Sequence, residues 1–249
     1  MAASSSIEWT DATWNPVTGC DRVSEGCENC YALALARRLK AMGNPRYQLD
    51  GNPKSSGPGF GLSLHEDVLR LPLSWRTPRF VFVNSMSDLF HPRVPVDFIG
   101  QVFEVMAEAS SHTFQILTKR PERMARIVAE LCPDWLPNVW LGCSIESQRF
   151  LSRVEAVRST PARVHFLSLE PLLGPLPGLE LTGIEWVIVG GESGHKHRPV
   201  ELKWVRQIRD QCVEADVAFF FKQVGGRTPK AGGRMLDGRT WDQMPAPPA

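Results

Sequence analysis

Residues 79–120 read RFVFVNSMSDLFHPRVPVDFIGQVFEVMAEASSHTFQILTKR. An apolar run at 79–83 passes into the small and polar residues Asn84, Ser85 and Asp88. Residues 96–109 then set Val96, Ile99, Val102, Phe103 and Met106 on one helical stripe. A second apolar run at 113–117 ends in Thr118, Lys119 and Arg120. Neither run alternates apolar with polar residues, which is how strands covered on both faces read. The stretch is one β–α–β unit.

The same rhythm continues to residue 223. Further runs of β-branched and aromatic residues lie at 138–146, 163–170, 185–192 and 217–223. Helical patterns lie at 121–131, with Pro121 in the first turn, and at 200–215. Upstream, residues 30–42 read as a helix ending at Gly43, and 60–65 and 14–19 are weaker strand candidates. Strands alternating with helices imply an α/β fold with a parallel sheet, here a (β/α) barrel of the TIM type, complete or partial. A doubly wound open sheet is the alternative, but no GxGxxG strand-to-helix turn supports it. Residues 43–61, rich in Gly, Pro, Asn and Ser, form an excursion. The expected organisation is a single barrel domain over 1–226, with an N-terminal Cys loop, and a loosely ordered tail at 227–249.

Composition bounds the function. The chain has 249 residues, 43% hydrophobic, with 28 Lys+Arg against 27 Asp+Glu for a net charge of +1. That excludes a histone-like polycation, an acidic tail and the disordered regime. With no apolar stretch long enough to span a bilayer and no leader pattern at the start, the expectation is a soluble, cytoplasmic protein without a membrane partner. Six cysteines are too few for a disulfide scaffold, and Cys132, Cys143 and Cys212, scattered in apolar or helical surroundings, read as small buried residues.

Active residues of a parallel βα fold sit at the carboxyl ends of its strands. Those ends carry Asn84, Ser85 and Asp88; Thr118, Lys119 and Arg120; Ser144 and Glu146; Ser168 and Glu170; Glu192 and Ser193; Lys222 and Gln223. Any one of them could cap a helix or sit solvated at the surface. Together they describe a polar cavity at one mouth, in which Glu170, Glu192 and Lys222 are the candidates for catalysis. Asn84, Ser85, Asp88, Thr118, Lys119, Glu146 and Ser168 are the candidates for holding a cofactor. Gly190 and Gly191 would let a ligand approach the backbone.

The sharpest feature is NPVTGCDRVSEGCENCY at 15–31, which spaces Cys20, Cys27 and Cys30 as C-x6-C-x2-C. A closed structural zinc site wants four ligands, and the next His or Cys after this loop is His65. Three thiolates suffice for a [4Fe–4S] cluster with one iron open to an external ligand. Zinc with a distant fourth ligand (His195 or His197 could complete Cys3His) and a redox thiol cluster are the alternatives.

Several longer motifs carry a resemblance. TDATWNPVTGC at 10–20, EGCENCYA at 25–32, FVNSMSDLFH at 82–91, LTKRPERM at 117–124, LSLEPLLG at 167–174, GGESG at 190–194, Arg198-Pro199 and FFKQ at 220–223 resemble the phage-associated three-Cys-motif family. The resemblance spans residues 7 to 226. That family is in turn similar to radical S-adenosylmethionine (SAM) enzymes, in which three cysteines after the first barrel strand hold a [4Fe–4S] cluster. The open iron chelates SAM, and reductive cleavage of the sulfonium gives a radical that abstracts hydrogen from substrate. The resemblance implies that Cys20, Cys27 and Cys30 ligate the cluster, that SAM lies at the barrel mouth, and that a partner protein accompanies the chain. The C-x6-C-x2-C spacing departs from the commoner C-x3-C-x2-C of radical-SAM enzymes, and Asn29 stands where an aromatic is usual.

Three functions follow. The first is a radical-SAM-like iron–sulfur enzyme acting on an unknown substrate, with a nucleotide or nucleic acid as the candidate. Ten Lys+Arg against five Asp+Glu between Lys196 and Arg239 give that substrate slight support, although solvated helix-face charges are the favoured explanation, and Trp204 and Trp241 could stack bases, Trp204 as readily packing. The second is a non-catalytic binding or assembly module stapled by zinc or a cluster. The third is a nuclease or hydrolase using Asp88, Glu146, Glu170 and Glu192 around divalent metals, which leaves the cysteines without a role.

Overall fold

A computed structural model describes residues 5–131, 135–228 and 230–247. The strands are β1 (Ala12–Trp14), β2 (Val17–Thr18), β3 (Ser63–Leu64), β4 (Phe80–Val83), β5 (Thr113–Thr118), β6 (Val139–Ser144), β7 (His165–Leu169), β8 (Trp186–Gly190) and β9 (Ala218–Gln223). The α-helices are α1 (Tyr31–Ala41), α2 (Val96–Glu108), α3 (Pro121–Leu131), α4 (Arg153–Arg158) and α5 (Leu202–Glu214). Seven strands form one parallel sheet in the order β1-β4-β5-β6-β7-β8-β9. The order never reverses, so the sheet is singly wound, and its edge strands β1 and β9 do not pair. This is a (β/α) barrel of partial type, and the doubly wound alternative falls.

Of the two weak strand candidates, 60–65 stays out of that sheet and 14–19 gives it only Trp14. Val17–Thr18 and Ser63–Leu64 pair with each other as a small antiparallel ribbon, and the residues just before, Ala12–Trp14, supply the first barrel strand. Its three residues are too short a run for hydrophobic periodicity to register. Between β7 and β8 no helix forms. Pro171, Pro175 and Pro177 interrupt the segment, and Leu172, Leu176, Leu179, Leu181 and Ile184 cover the sheet from an irregular chain instead.

Two apolar layers follow from the alternation along each strand. Outward residues such as Val81, Val83, Phe114, Ile116, Leu141, Leu167, Val187 and Phe219 pack under the helices. Inward residues Phe82, Trp140, Phe166, Trp186, Ile188 and Phe220 fill the concave face, with Trp9 closing over them 4.7 Å from the Phe82 ring. Cys143 and Cys212 are buried, as small apolar residues would be; Cys132 lies outside the described residues.

The segment after residue 226 is not the loose tail expected from its lack of periodicity. It returns along β9: Phe221 N donates to Trp241 O at 2.9 Å, Trp186 Nε1 to Gln243 O at 2.9 Å and Phe219 N to Gln243 Oε1 at 3.1 Å. Leu236 is buried and Asp237 pairs with Arg206 and Arg209 of α5. Irregularly spaced anchors hold it, covering an otherwise open strand edge. Trp204 packs on the core, and Trp241 is stacked by Arg239 at 3.5 Å, so both indoles serve packing. No helix among the described residues is long and apolar enough to cross a membrane.

Candidate cofactor site

The concave face changes character toward the carboxyl ends of its strands. In β4, β7 and β9 the inward residue is aromatic low in the barrel and small or polar at the top: Phe82 then Asn84, Phe166 then Ser168, Phe220 then Lys222. The result is a cavity of about 910 Å³ floored by Trp9, Phe82 and Leu117 and open at the mouth. Cys20, Cys27 and Cys30 all line it, as do Asn84, Ser85, Asp88, Thr118, Lys119, Ser168, Glu170, Glu192 and Lys222.

The Cys loop is built on glycine at two points. Gly19 has φ +86, and a Cβ there would stand 2.2 Å from Gly61 O. At Gly26, in the 3-10 turn before Cys27, a Cβ would stand 2.3 Å from Glu146 Cγ. The loop then enters α1 directly after Cys30. Burial raises the thiol pKa values, that of Cys20 to about 12 and that of Cys30 in the same direction. A metal bound by these thiols would displace their protons.

Charged residues fasten this loop to the barrel on three sides. Asp21 accepts from Ser55 and Ser56, at 2.6 and 3.0 Å, and lies 3.0 Å from His91 Nε2. Burial alone would raise its pKa, but these hydrogen bonds and the Arg93 charge hold it at about 2. Glu146, fully buried beneath the loop, accepts from Ser24 Oγ at 2.7 Å, from Arg153 Nη1 at 3.0 Å and from Lys119 Nζ. Glu192 accepts from Asn29 at 2.9 Å and from Arg198 through its N, Nε and Nη2, while Arg198 Nη2 also donates to Glu25 O at 2.9 Å. The C-x6-C-x2-C loop is thus tied to the 43–61 excursion and the segment after β4 through Asp21, and to the ends of β6 and β8 through Glu146 and Glu192.

Across the cavity, Lys222 Nζ donates to both carboxylate oxygens of Glu170, at 2.7 and 2.9 Å. A bulge between Val189 and Gly190 makes this contact: Val189 pairs with Phe221 and Gly190 with Gln223. The extra residue lets Lys222 and Gln223 both reach Glu170.

Three expected site residues are elsewhere. Glu146 does not face the cavity; it lies under the loop, drawn there by Ser24, Lys119 and Arg153. Gly190 and Gly191 give no ligand a path to the backbone. A Cβ on Gly190 would press on the Glu170 carboxylate at 3.0 Å, and one on Gly191 would stand 1.9 Å from Val224 O. Their lack of a side chain serves internal packing. Asp21, Asn29, Arg153 and Arg198 were not singled out as site residues. Asn29 and Arg198 belong to the quoted motifs, but nothing local marks Arg153.

Two alternatives lose ground on this geometry. The four carboxylates of a hydrolase reading are each matched to a cation: Asp88 to Arg120, Glu146 to Lys119 and Arg153, Glu170 to Lys222, Glu192 to Arg198. Among the described residues no three or more His, Cys, Asp and Glu are gathered closely enough for one metal ion. A closed structural zinc would need a fourth ligand beside the three thiols. The candidate fourth ligands are also occupied or remote: His65 bonds Thr18, His91 bonds Asp21, His197 bonds Gly194 O, and His195 is exposed.

The family model described as "Protein of unknown function (DUF5131)" matches residues 4–245, so the chain belongs to that family. A search of curated proteins finds no match. Among solved structures the chain is similar to spore photoproduct lyase complexed with dinucleoside spore photoproduct, at 12% identity and TM-score 0.43, covering 77% of this chain and 58% of that one. A cysteine-to-serine mutant of that lyase matches at 11% identity and TM-score 0.46, over 79% and 60%. A doubly substituted form with bound AdoMet and dinucleoside spore photoproduct matches at 11% identity and TM-score 0.44, over 85% and 63%. The chain spans about three fifths of the length of these structures.

Proposed function

We propose that this member of the family is a radical-SAM-like iron–sulfur enzyme, with a [4Fe–4S] cluster on Cys20, Cys27 and Cys30 and SAM in the adjoining cavity. One observation carries the reading: the three thiols of a single loop, Cys20, Cys27 and Cys30, open onto the same polar-topped barrel cavity. That donor set fits a cluster with one iron left for an outside ligand. When bound, the cluster and SAM supply one-electron cleavage of the sulfonium and, through it, hydrogen abstraction from an unreactive carbon.

The chain's own residues do the rest. Glu146, Asp21 and the Glu192–Arg198 pair hold the loop in register with the strand ends, so that the thiols stay on the cavity side. Trp9, Phe82 and Leu117 form a dry floor that keeps water from a reactive intermediate. Lys222 and Glu170 offer a donor and an acceptor on the opposite wall, suited to a zwitterionic or hydroxyl-bearing ligand. Arg22 and Lys230, exposed cations at the mouth, suit a phosphate-bearing substrate, a nucleotide or nucleic acid.

Metal analysis tests this reading. Protein purified and reconstituted without oxygen should carry about four irons and four sulfides per chain. One zinc and no iron would instead establish the stapled, non-catalytic module.

A further inference from the structure

Of the three thiols, Cys20 alone has a charged donor. Arg120 Nη1 lies 3.6 Å from Cys20 Sγ and 2.7 Å from Asp88 Oδ2, while its Nη2 donates to Asp21 O at 3.1 Å. The guanidinium is held in that place. Arg120 N donates to Thr118 Oγ1 at 2.9 Å, Thr118 Oγ1 donates to Asp88 Oδ1 at 2.7 Å, and the Lys119 and Phe90 amides also donate to Asp88. Both side chains of the pair are largely buried, at 11% and 7% exposure, so water screens their fields poorly. A cation and an anion are therefore fixed side by side next to one cluster thiol, and a hydrogen bond from the cation reaches the sulfur.

We infer that Arg120 and Asp88 set the reduction potential of the iron–sulfur group held by Cys20, Arg120 raising it and Asp88 lowering it; the inference rests on the cluster reading above. Reduction adds one negative charge to the group. A guanidinium at the sulfur stabilises that charge, directly and through its N–H···S bond, and a carboxylate behind it opposes it. Each charge of the native pair offsets part of the other's field at the sulfur. Arg120 and Asp88 are positioning residues in this account, for neither is assigned contact with substrate. The step is a one-electron transfer from an external reductant, with no bond formed or broken and no proton moved.

The test is a potentiometric titration of the full chain, anaerobically reconstituted, with dithionite as reductant and the paramagnetic signal of the reduced protein as readout. Arg120→Gln should shift the midpoint to more negative potential, and Asp88→Asn should shift it the other way. A purely structural role for the pair would weaken the fold in both variants without moving the midpoint in opposite directions. Because either variant leaves one buried charge unmatched, Arg120→Lys supplies a milder change. It keeps the charge beside Asp88 but cannot serve Asp88, Cys20 and Asp21 together, so its midpoint should lie between those of Arg120→Gln and the native chain. Cluster-loaded variants whose midpoints match the native value, or all move the same way, overturn the inference alone. A native chain that takes up zinc and no iron overturns the cluster reading and the inference with it.

Discussion

Glu146→Ala is expected to destabilise the protein by about 3–5 kcal/mol, because it leaves the buried Arg153 and the partly buried Lys119 without their shared counter-charge. For a chain of this size that corresponds to a fall in melting temperature on the order of 10 °C. The carboxylate has no exposed surface and joins three elements: Ser24 of the Cys loop, Lys119 after β5 and Arg153 of α4. Glu146→Gln separates charge from shape. It keeps an acceptor for Ser24 but no negative charge, and should cost less than the alanine. Acid provides a second signature. Burial by itself would raise the pKa of Glu146, but Lys119, Ser24 and Arg153 hold it below the usual carboxylate range. Such a group contributes stability that is full above the unfolded pKa of about 4.3 and is lost as pH falls toward the lower folded value. Thermal melts across pH 3–6 should therefore show an acid-sensitive component in the native chain that Glu146→Gln lacks. A Glu146→Ala variant melting within 1–2 °C of the native chain would remove this residue from the support of the Cys loop.

The second large effect is on metal content. Each of Cys20→Ala, Cys27→Ala and Cys30→Ala should reduce iron after anaerobic reconstitution from about four per chain to a small residue, while leaving the fold largely intact. Cys20 and Cys30 pack against the small cluster of Ala32, Ala36, Tyr47, Phe60 and Met86 beside α1, not within the two layers of the sheet, so the sheet does not need the three thiols. Cys143→Ala and Cys212→Ala are the controls. Both are buried between the sheet and its helices, Cys143 on β6 and Cys212 on α5, and they should lower stability through lost packing without lowering iron. Iron retained in full by any of the three loop variants would show that the assigned cysteine is not a ligand.

Much of this fold could be read in the order of the residues. Parallel strands buried on both faces need continuous apolar runs, and six such runs, from 79–83 to 217–223, recur in the sheet. The first strand could not be found that way, because Ala12–Trp14 is too brief and takes its partner from residues near 80. The order of the C-terminal segment escapes the sequence for a related reason. Leu236 and Trp241 follow no period, and their docking on β9 and α5 depends on surfaces that only the folded sheet creates.

At the site, position along the strand was the readable part. Asn84, Ser168 and Lys222 follow inward aromatics at a spacing of two, so their place at the mouth follows from strand geometry. What lay outside sequence reach was pairing. Glu146 continues the inward series of β6 through Trp140, Gly142 and Ser144, yet it turns beneath the Cys loop because Ser24, Lys119 and Arg153 converge there. Gly190 and Gly191 invited a reading as ligand-facing glycines; contacts of Glu170 and Val224, distant in sequence, decide otherwise.

The central claim is that the three thiols hold a cluster whose open iron takes SAM from the same cavity. Its most direct test is the electron paramagnetic resonance spectrum of the reduced, reconstituted protein with and without SAM. The account predicts the signal of a reduced [4Fe–4S] cluster that changes on adding SAM. A cluster signal indifferent to SAM would contradict the claim that the cavity delivers SAM to the iron, and a chain holding zinc with no such signal would contradict the cluster itself.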